Sequence, residues 1–201
     1  MNRLLLLALA SLPASLSFTA QAQDKQPGQR MDNAIALCIG CHGIPGYKTA
    51  FPSVYHVPKI AGQQPGYIVN ALKAYKSGER SHPSMRGIAA TLTEEDMQKL
   101  AEHYGTPVKS AAPAKAGAPA KKAAEVCAAC HGPEGNKPSD PTQPVLAGQH
   151  QDYLERALTD YKIGRRNNPI MKGFAGQLSK KEIEDLAAWF ASQKSSLHDQ
   201  R

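Results

Sequence analysis

The chain has 201 residues and a formal net charge of +7, from 24 Lys and Arg against 17 Asp and Glu. Aromatic residues make up only 6%, and the basic residues are scattered rather than clustered on a stripe with aromatics between them. This distribution excludes a typical nucleic-acid-binding surface, so we expect no nucleic-acid partner.

The N-terminus has the pattern of a secretory signal peptide over residues 1–22. Arg3 supplies a positive charge, residues 4–9 begin an apolar stretch, and Ala20-Gln21-Ala22 is a small-residue cleavage site. The apolar stretch is too short and too interrupted by proline and serine to span a membrane. We therefore expect cleavage after Ala22 and export to the periplasm, with a retained anchor helix as the alternative.

Two stretches of the chain read Cys-x-x-Cys-His, which is the attachment pattern of a c-type haem. Two thiols three positions apart on one helical turn can add to the two vinyl groups of one porphyrin. The histidine that follows then lies under the iron as its proximal ligand. We expect two covalently bound haems, attached at Cys38, Cys41, Cys127 and Cys130, with His42 and His131 as iron ligands.

Other uses of paired cysteines explain the motifs less well. A four-thiolate zinc site is disfavoured because Cys41 and Cys127 are 86 residues apart, against roughly 15–20 in that pattern. A thioredoxin-like redox pair requires a βαβ context, which the sequence lacks. Neither use, nor a disulfide framework, explains why a histidine directly follows both pairs.

The second half of the chain repeats the first. Residues 59–63 align with residues 145–149 at an offset of 86, whereas the haem motifs are offset by 89. The first unit therefore has three extra residues after His42. The segment 107–120 is rich in Ala, Pro and Lys and has the composition of a linker. We expect domains at 23–106 and 121–201.

Each unit is predicted to be all-α, with three to four short helices around a haem. A helix is expected from Pro65 to about Ser77, and Thr93 and Ser179 are expected to cap the last helix of each unit. About 80 residues are marginal for a self-sufficient apolar core. A buried porphyrin would supply much of the missing apolar surface, so we expect the haem-free chain to be largely unfolded.

The second axial ligand of each iron can be Met, a second His, or absent. Met85 and Met171 are the methionines that recur in both units, and both are expected in loops rich in Gly and Pro. Met31 and Met97 are expected to pack in the core. We therefore predict Met85 and Met171 as iron ligands, and His56 stays open as an alternative for the first haem.

The chain resembles the two-haem class I cytochromes c, and most closely the cytochrome c4 family. The resemblance is carried by both Cys-x-x-Cys-His motifs, the two predicted ligand methionines, and the segments 58–63 and 144–149. It implies two tandem cytochrome c-like domains packed face to face. It also implies that the backbone carbonyls of Pro58 and Pro144 bind the proximal histidines.

The resemblance implies a periplasmic electron carrier between a quinol-oxidising complex and a terminal oxidase, often loosely membrane-associated. Filling both axial positions also closes the iron to substrates, which argues for electron transfer rather than catalysis. A haem-bearing subunit of an oxidoreductase complex, served by a periplasmic dehydrogenase, is the main alternative. A di-haem peroxidase is a third reading, and the paired methionines argue against it.

Five basic residues lie near the two predicted methionine ligands in the sequence. We expect them either to form a rim that meets an acidic redox partner, or to pair with solvent and haem propionates. These residues are Arg80, Arg86, Arg165, Arg166 and Lys172.

Overall fold

The computed structural model describes residues 27–105 and 118–199. The predicted signal peptide and most of the predicted linker lie outside these ranges. Within them, no helix is both long and apolar enough to cross a membrane.

The first unit contains four helices and one short hairpin. The helices are α1 (Pro27–His42), α2 (Pro65–Ser77), α3 (Pro83–Ala90) and α4 (Glu94–Tyr104). The two-residue strands β1 (Lys48–Thr49) and β2 (Tyr55–His56) pair antiparallel inside the segment that holds the three extra residues. This hairpin was not predicted, because strands of two residues are too short to show an alternating pattern.

The second unit repeats the helices without the hairpin. They are α5 (Ala118–His131), α6 (Gln151–Lys162), α7 (Pro169–Gln177) and α8 (Lys180–Ala191). Helix α5 begins three residues before the expected start of the second domain. The all-α prediction of two tandem helical units is confirmed.

The ends of the helices follow from local sequence. Pro65 occupies the first turn of α2, and Gly78 ends that helix in the left-handed conformation with φ of 88°. Thr93 begins α4 and Ser179 begins α8, and each forms a capping box with the third helical residue. These capping boxes fix where the last helix of each unit starts.

Each unit has its own apolar core beside the haem motif. In the first unit, α2 packs on α3 and α4, and Met97 and Leu100 are each only 1% exposed. In the second unit, α6 packs on α7 and α8, around Leu186 and Phe190. The last helix of each unit supplies four buried side chains to its core, and the helix with the haem motif packs against it.

The two units pack against each other through equivalent segments. Residues around Arg80 and Arg166 pair antiparallel, because Ser81 N–H donates to the Arg165 carbonyl at 3.0 Å and Asn167 N–H donates to the Glu79 carbonyl at 2.7 Å. Equivalent positions of a repeat that pair with each other define a pseudo-two-fold axis.

Candidate haem site

The predicted attachment cysteines lie in the last turns of α1 and α5. None of the four cysteines forms a disulfide, and none is exposed. Burial raises the pKa of Cys38 to about 11 and also raises that of Cys127. Redox-active cysteine pairs have lowered thiol pKa values, so these pairs do not resemble a thioredoxin-like site. Within the described ranges, no group of three His, Cys, Asp or Glu side chains is arranged to hold a metal ion.

Each predicted proximal histidine is oriented by a proline carbonyl. His42 Nδ1 lies 2.6 Å from the Pro58 oxygen, and His131 Nδ1 lies 2.9 Å from the Pro144 oxygen. A carbonyl can only accept, so Nδ1 carries the proton and donates it. The hydrogen bonds implied by the resemblance are therefore present in both units.

Both imidazoles are held neutral. Burial lowers the pKa of His42 and of His131, and this outweighs the carbonyl bond, which raises each pKa. With the proton on Nδ1, the neutral ring presents Nε2 as a free lone pair. This is the form of histidine that ligates a metal.

The structure brings all eight predicted site residues to the wall of one cavity of about 1140 Å³. That volume exceeds the roughly 300–1,000 Å³ of an ordinary small-molecule site. Paired thiols, a neutral oriented imidazole and a thioether in each unit form a donor set that fits haem c. These residues are Cys38, Cys41, His42, Met85, Cys127, Cys130, His131 and Met171.

The two methionines lie in helices, so the prediction that they sit in loops is wrong. Met85 is in the first turn of α3, and Met171 is in the first turn of α7. Their N–H groups donate to the capping side chains of His82 at 3.3 Å and Asn168 at 3.0 Å. The prolines that suggested a loop instead start each helix, where proline is favoured.

The other candidate ligands lie elsewhere. Met97 is 1% exposed in the core, and Met31 packs against the same core, as predicted. His56 does not line the cavity; its Nδ1 lies 2.8 Å from a carboxylate oxygen of Asp152, and its ring stacks on His150. His56 therefore connects the two units, and the alternative that it ligates the first haem is not supported.

Two of the five basic residues are not on the surface, so neither a partner-facing rim nor solvated charge describes them, and the alternative of pairing with haem propionates stays open for both. Arg80 and Arg166 are buried, with exposures of 8% and 6%, and both line the cavity. Their burial is unusual, because arginine is rarely fully buried in proteins. Arg86, Arg165 and Lys172 are exposed and remain available to a partner.

Comparison with known proteins decides the family. The family model for cytochrome c matches residues 117–194. A cytochrome c4 of Stutzerimonas stutzeri is 30% identical, over 90% of this chain and 96% of that protein. The chain belongs to the cytochrome c4 family. It is therefore an electron-transfer protein that binds haem c and exchanges electrons with redox partners.

Two further relatives agree with this assignment. A thiosulfate dehydrogenase electron acceptor of Stutzerimonas stutzeri strain A1501 is 34% identical, over 88% of this chain and 89% of that protein. The solved cytochrome c4 of Acidithiobacillus ferrooxidans superposes with a TM-score of 0.62 at 29% identity, covering 78% of this chain and 98% of that one.

Proposed function

We propose that the chain carries two haems c, one in each of the domains 23–106 and 121–201, joined by the linker 107–120. The first is attached at Cys38 and Cys41, and the second at Cys127 and Cys130. The observation that carries this proposal is the repeated hydrogen bond from a neutral proximal histidine to a proline carbonyl beside each cysteine pair.

The axial ligands are His42 with Met85 in the first unit and His131 with Met171 in the second. Haem supplies a one-electron couple, and thioether ligation raises its potential relative to harder ligands. Met85 and Met171 lie in the first turns of helices whose N-termini are capped by His82 and Asn168, which favours a rigid site. Rigid, fully ligated sites suit outer-sphere electron transfer.

The working compartment is the periplasm, reached through cleavage after Ala22. The export pattern at the N-terminus and the covalent haem motifs support this placement. Mass spectrometry of the purified protein is expected to find Gln23 at the mature N-terminus. A protein that retained residues 1–22 would contradict this part of the proposal.

The carrier is proposed to take electrons from a quinol-oxidising complex and pass them to a terminal oxidase, with loose attachment at the membrane surface. Arg86, Arg165 and Lys172 give it an exposed basic surface for an acidic redox partner. Such encounters have small interfaces and low affinity, and their rates depend on salt.

A second candidate is an electron-accepting subunit of a periplasmic dehydrogenase. It is favoured by the 34% identity to a protein named as a thiosulfate dehydrogenase electron acceptor. The same haem site serves both roles, so only the donor distinguishes them.

Haem content and donor preference test the proposal together. Pyridine haemochrome analysis is expected to give two haems c per chain, and a redox titration is expected to fit two high midpoints. Reduction by a purified quinol-oxidising complex should be fast and salt-sensitive. Faster reduction by a thiosulfate dehydrogenase, with co-purification, would support the second candidate, and a colourless protein would refute both.

A further inference from the structure

Two buried arginines lie at the axis that relates the two units. Arg80 and Arg166 occupy equivalent positions of the repeat and pair with each other through their backbones. Each guanidinium lies over a tyrosine ring of its own unit, Arg80 at 4.5 Å from Tyr75 and Arg166 at 5.4 Å from Tyr161. Both side chains line the cavity that holds the predicted haem ligands.

Neither guanidinium has a carboxylate partner among the described residues. Arg80 donates to the hydroxyls of Tyr67 at 3.3 Å and Tyr153 at 2.5 Å, and Arg166 donates to Tyr153 at 3.2 Å. The Nε of Arg80 is buried without any partner. Buried charges in proteins are normally paired, because desolvating an isolated ion is very costly. Two unpaired cations side by side indicate a missing anion.

Among the described residues that face the pair, Tyr153 has the phenol that the two guanidiniums could convert into an anion. Burial raises the pKa of Tyr153, but the two guanidiniums lower it more and bring it to about 7. One phenolate would balance one of the two cations only. The remaining charge, and the free Nε of Arg80 in the cavity wall, still require an acceptor.

We propose that Arg80 and Arg166 together bind the porphyrin carboxylates of both units, so that each arginine acts on both haem potentials. This inference rests on the proposed function, because haem c brings two propionates per porphyrin into the cavity. A planar guanidinium binds carboxylates in two-point geometry, which suits a site at the junction of two such groups.

The contacts of Arg80 explain why one arginine would act on the haems of both units. It belongs to the first unit, yet its shorter hydrogen bond, at 2.5 Å, reaches Tyr153 of the second. Arg166 donates to the same hydroxyl. Both guanidiniums therefore meet at the Tyr153 hydroxyl, near the axis between the units. Neutralising either arginine would remove a positive charge that acts on both haems.

The test is a redox titration of holoprotein variants Arg80→Gln and Arg166→Gln. Loss of a nearby positive charge favours the oxidised iron, so each variant should lower both fitted midpoints. The matched control Arg165→Gln removes the same charge from the exposed neighbouring position and should leave both midpoints near the native values. A shift of only one midpoint in each variant, or a shift no larger than in the control, overturns the inference.

Counting the haems distinguishes failure of the proposed function from failure of the arginine proposal alone. Absence of haem from the native protein refutes the proposed function, whereas unchanged midpoints with two haems present refute only the arginine site. If the glutamine variants do not acquire haem, the pH dependence of the midpoint potentials of the native holoprotein tests the inference instead. Guanidiniums that are paired with carboxylates leave Tyr153 neutral, so both midpoint potentials should stay constant from about pH 6.5 to 8.

A midpoint that falls with rising pH through about 7 would show that the Tyr153 phenolate is the counterion, and would overturn the inference. Four other groups that face the pair have shifted pKa values, and each shift favours the neutral form in this window. Burial raises the pKa of Tyr55, Tyr67 and Tyr75 and lowers that of His82. The remaining neighbours are Asp160, Tyr161 and Arg156.

Discussion

Gln63 and Gln149 make the same pair of hydrogen bonds in opposite directions across the two units. The Gln63 side chain accepts from Val145 N–H at 2.7 Å and donates to the Val145 carbonyl at 3.1 Å. The Gln149 side chain accepts from Lys59 N–H at 3.0 Å and donates to the Lys59 carbonyl at 2.9 Å. Each glutamine acts as a strand-like partner for the segment just after the proline that orients the opposite histidine.

Replacing Gln63 with Ala should weaken the contact between the units. Val145 is 1% exposed, so the change leaves a buried N–H and a buried carbonyl without partners. Each such group costs about 1–3 kcal/mol, and we expect a loss on the order of 2–4 kcal/mol in the free energy of unfolding. Denaturant titration of the holoprotein measures it.

Gln64→Ala is the matched control for that experiment. Gln64 is the same residue type at the next position, and its side chain makes no capping hydrogen bond to α2. We expect it to change the free energy of unfolding by less than about 0.5 kcal/mol, as is usual away from special features. Equal losses in the two variants would contradict the role given to Gln63.

Replacing Met85 or Met171 with Ala should lower the midpoint of one haem only, because each opens one axial position. The measurement is a redox titration with absorption spectra of both oxidation states. Met97→Leu serves as the control, since Met97 is buried in the core and a volume-conserving change there costs little. Native spectra and midpoints in both alanine variants would refute the ligand assignment.

The repeated helices could be predicted from the sequence, and the candidate haem-binding residues could be picked out, because both depend on local signals. Capping residues, helical periodicity and the haem motif act over a few positions, and Pro65 and Ser77 bound α2 as expected. The buried positions of Arg80 and Arg166 could not be predicted in this way. Their burial depends on how the two units pack, and that packing joins residues 86 positions apart.

The sequence shows that Gln63 and Gln149 recur in the repeat, but it does not show which groups they contact. Both residues end the repeated Ala-Gly-Gln segment, so their recurrence marked them as important. A recurring glutamine does not say which backbone it binds. The reciprocal pairing becomes visible only when the two copies are placed around their common axis.

Asp96→Asn should destabilise the protein at neutral pH and destabilise it less in acid. Burial raises the pKa of Asp96, but hydrogen bonds from Thr93 and Arg30 lower it more, so the folded pKa lies below the ordinary value of 3.8. Because the pKa of Asp96 is lower in the folded state than in the unfolded state, its carboxylate stabilises the fold at pH values above the unfolded pKa. This stabilisation is lost as the pH falls through the folded pKa.

We expect a loss of about 2 kcal/mol for Asp96→Asn at pH 7 and a smaller loss at pH 3, which lies below the ordinary pKa of 3.8. Denaturant titrations at the two pH values measure the difference from the native protein. Glu95→Gln is the control, since its ion pair with Lys99 is exposed and contributes little. A loss that stays constant down to pH 3 would show that Asp96 acts through packing rather than charge.

Gly62→Ala should detach the C-terminal segment from the first unit. Gly62 has φ of 81°, and an added Cβ would lie 2.2 Å from the Ser196 carbonyl oxygen. Gly78→Ala is the control, with φ of 88° but nothing within 4 Å of the added atom. We expect about 1–2 kcal/mol for Gly78→Ala from the backbone alone, and clearly more for Gly62→Ala. Denaturation and limited proteolysis near residue 196 measure both effects.

Replacing all four cysteines with Ala should leave the chain without a stable native fold. Without haem, the apolar side chains that line the cavity of about 1140 Å³ would face water. Each unit of about 80 residues is already marginal for a self-sufficient apolar core. We expect weak near-ultraviolet circular dichroism and no cooperative thermal transition.

Replacing only Cys127 and Cys130 is the control, and it should retain one haem. A cooperative melt of the fully substituted chain, with native-like aromatic signals, would show that the protein core suffices without haem.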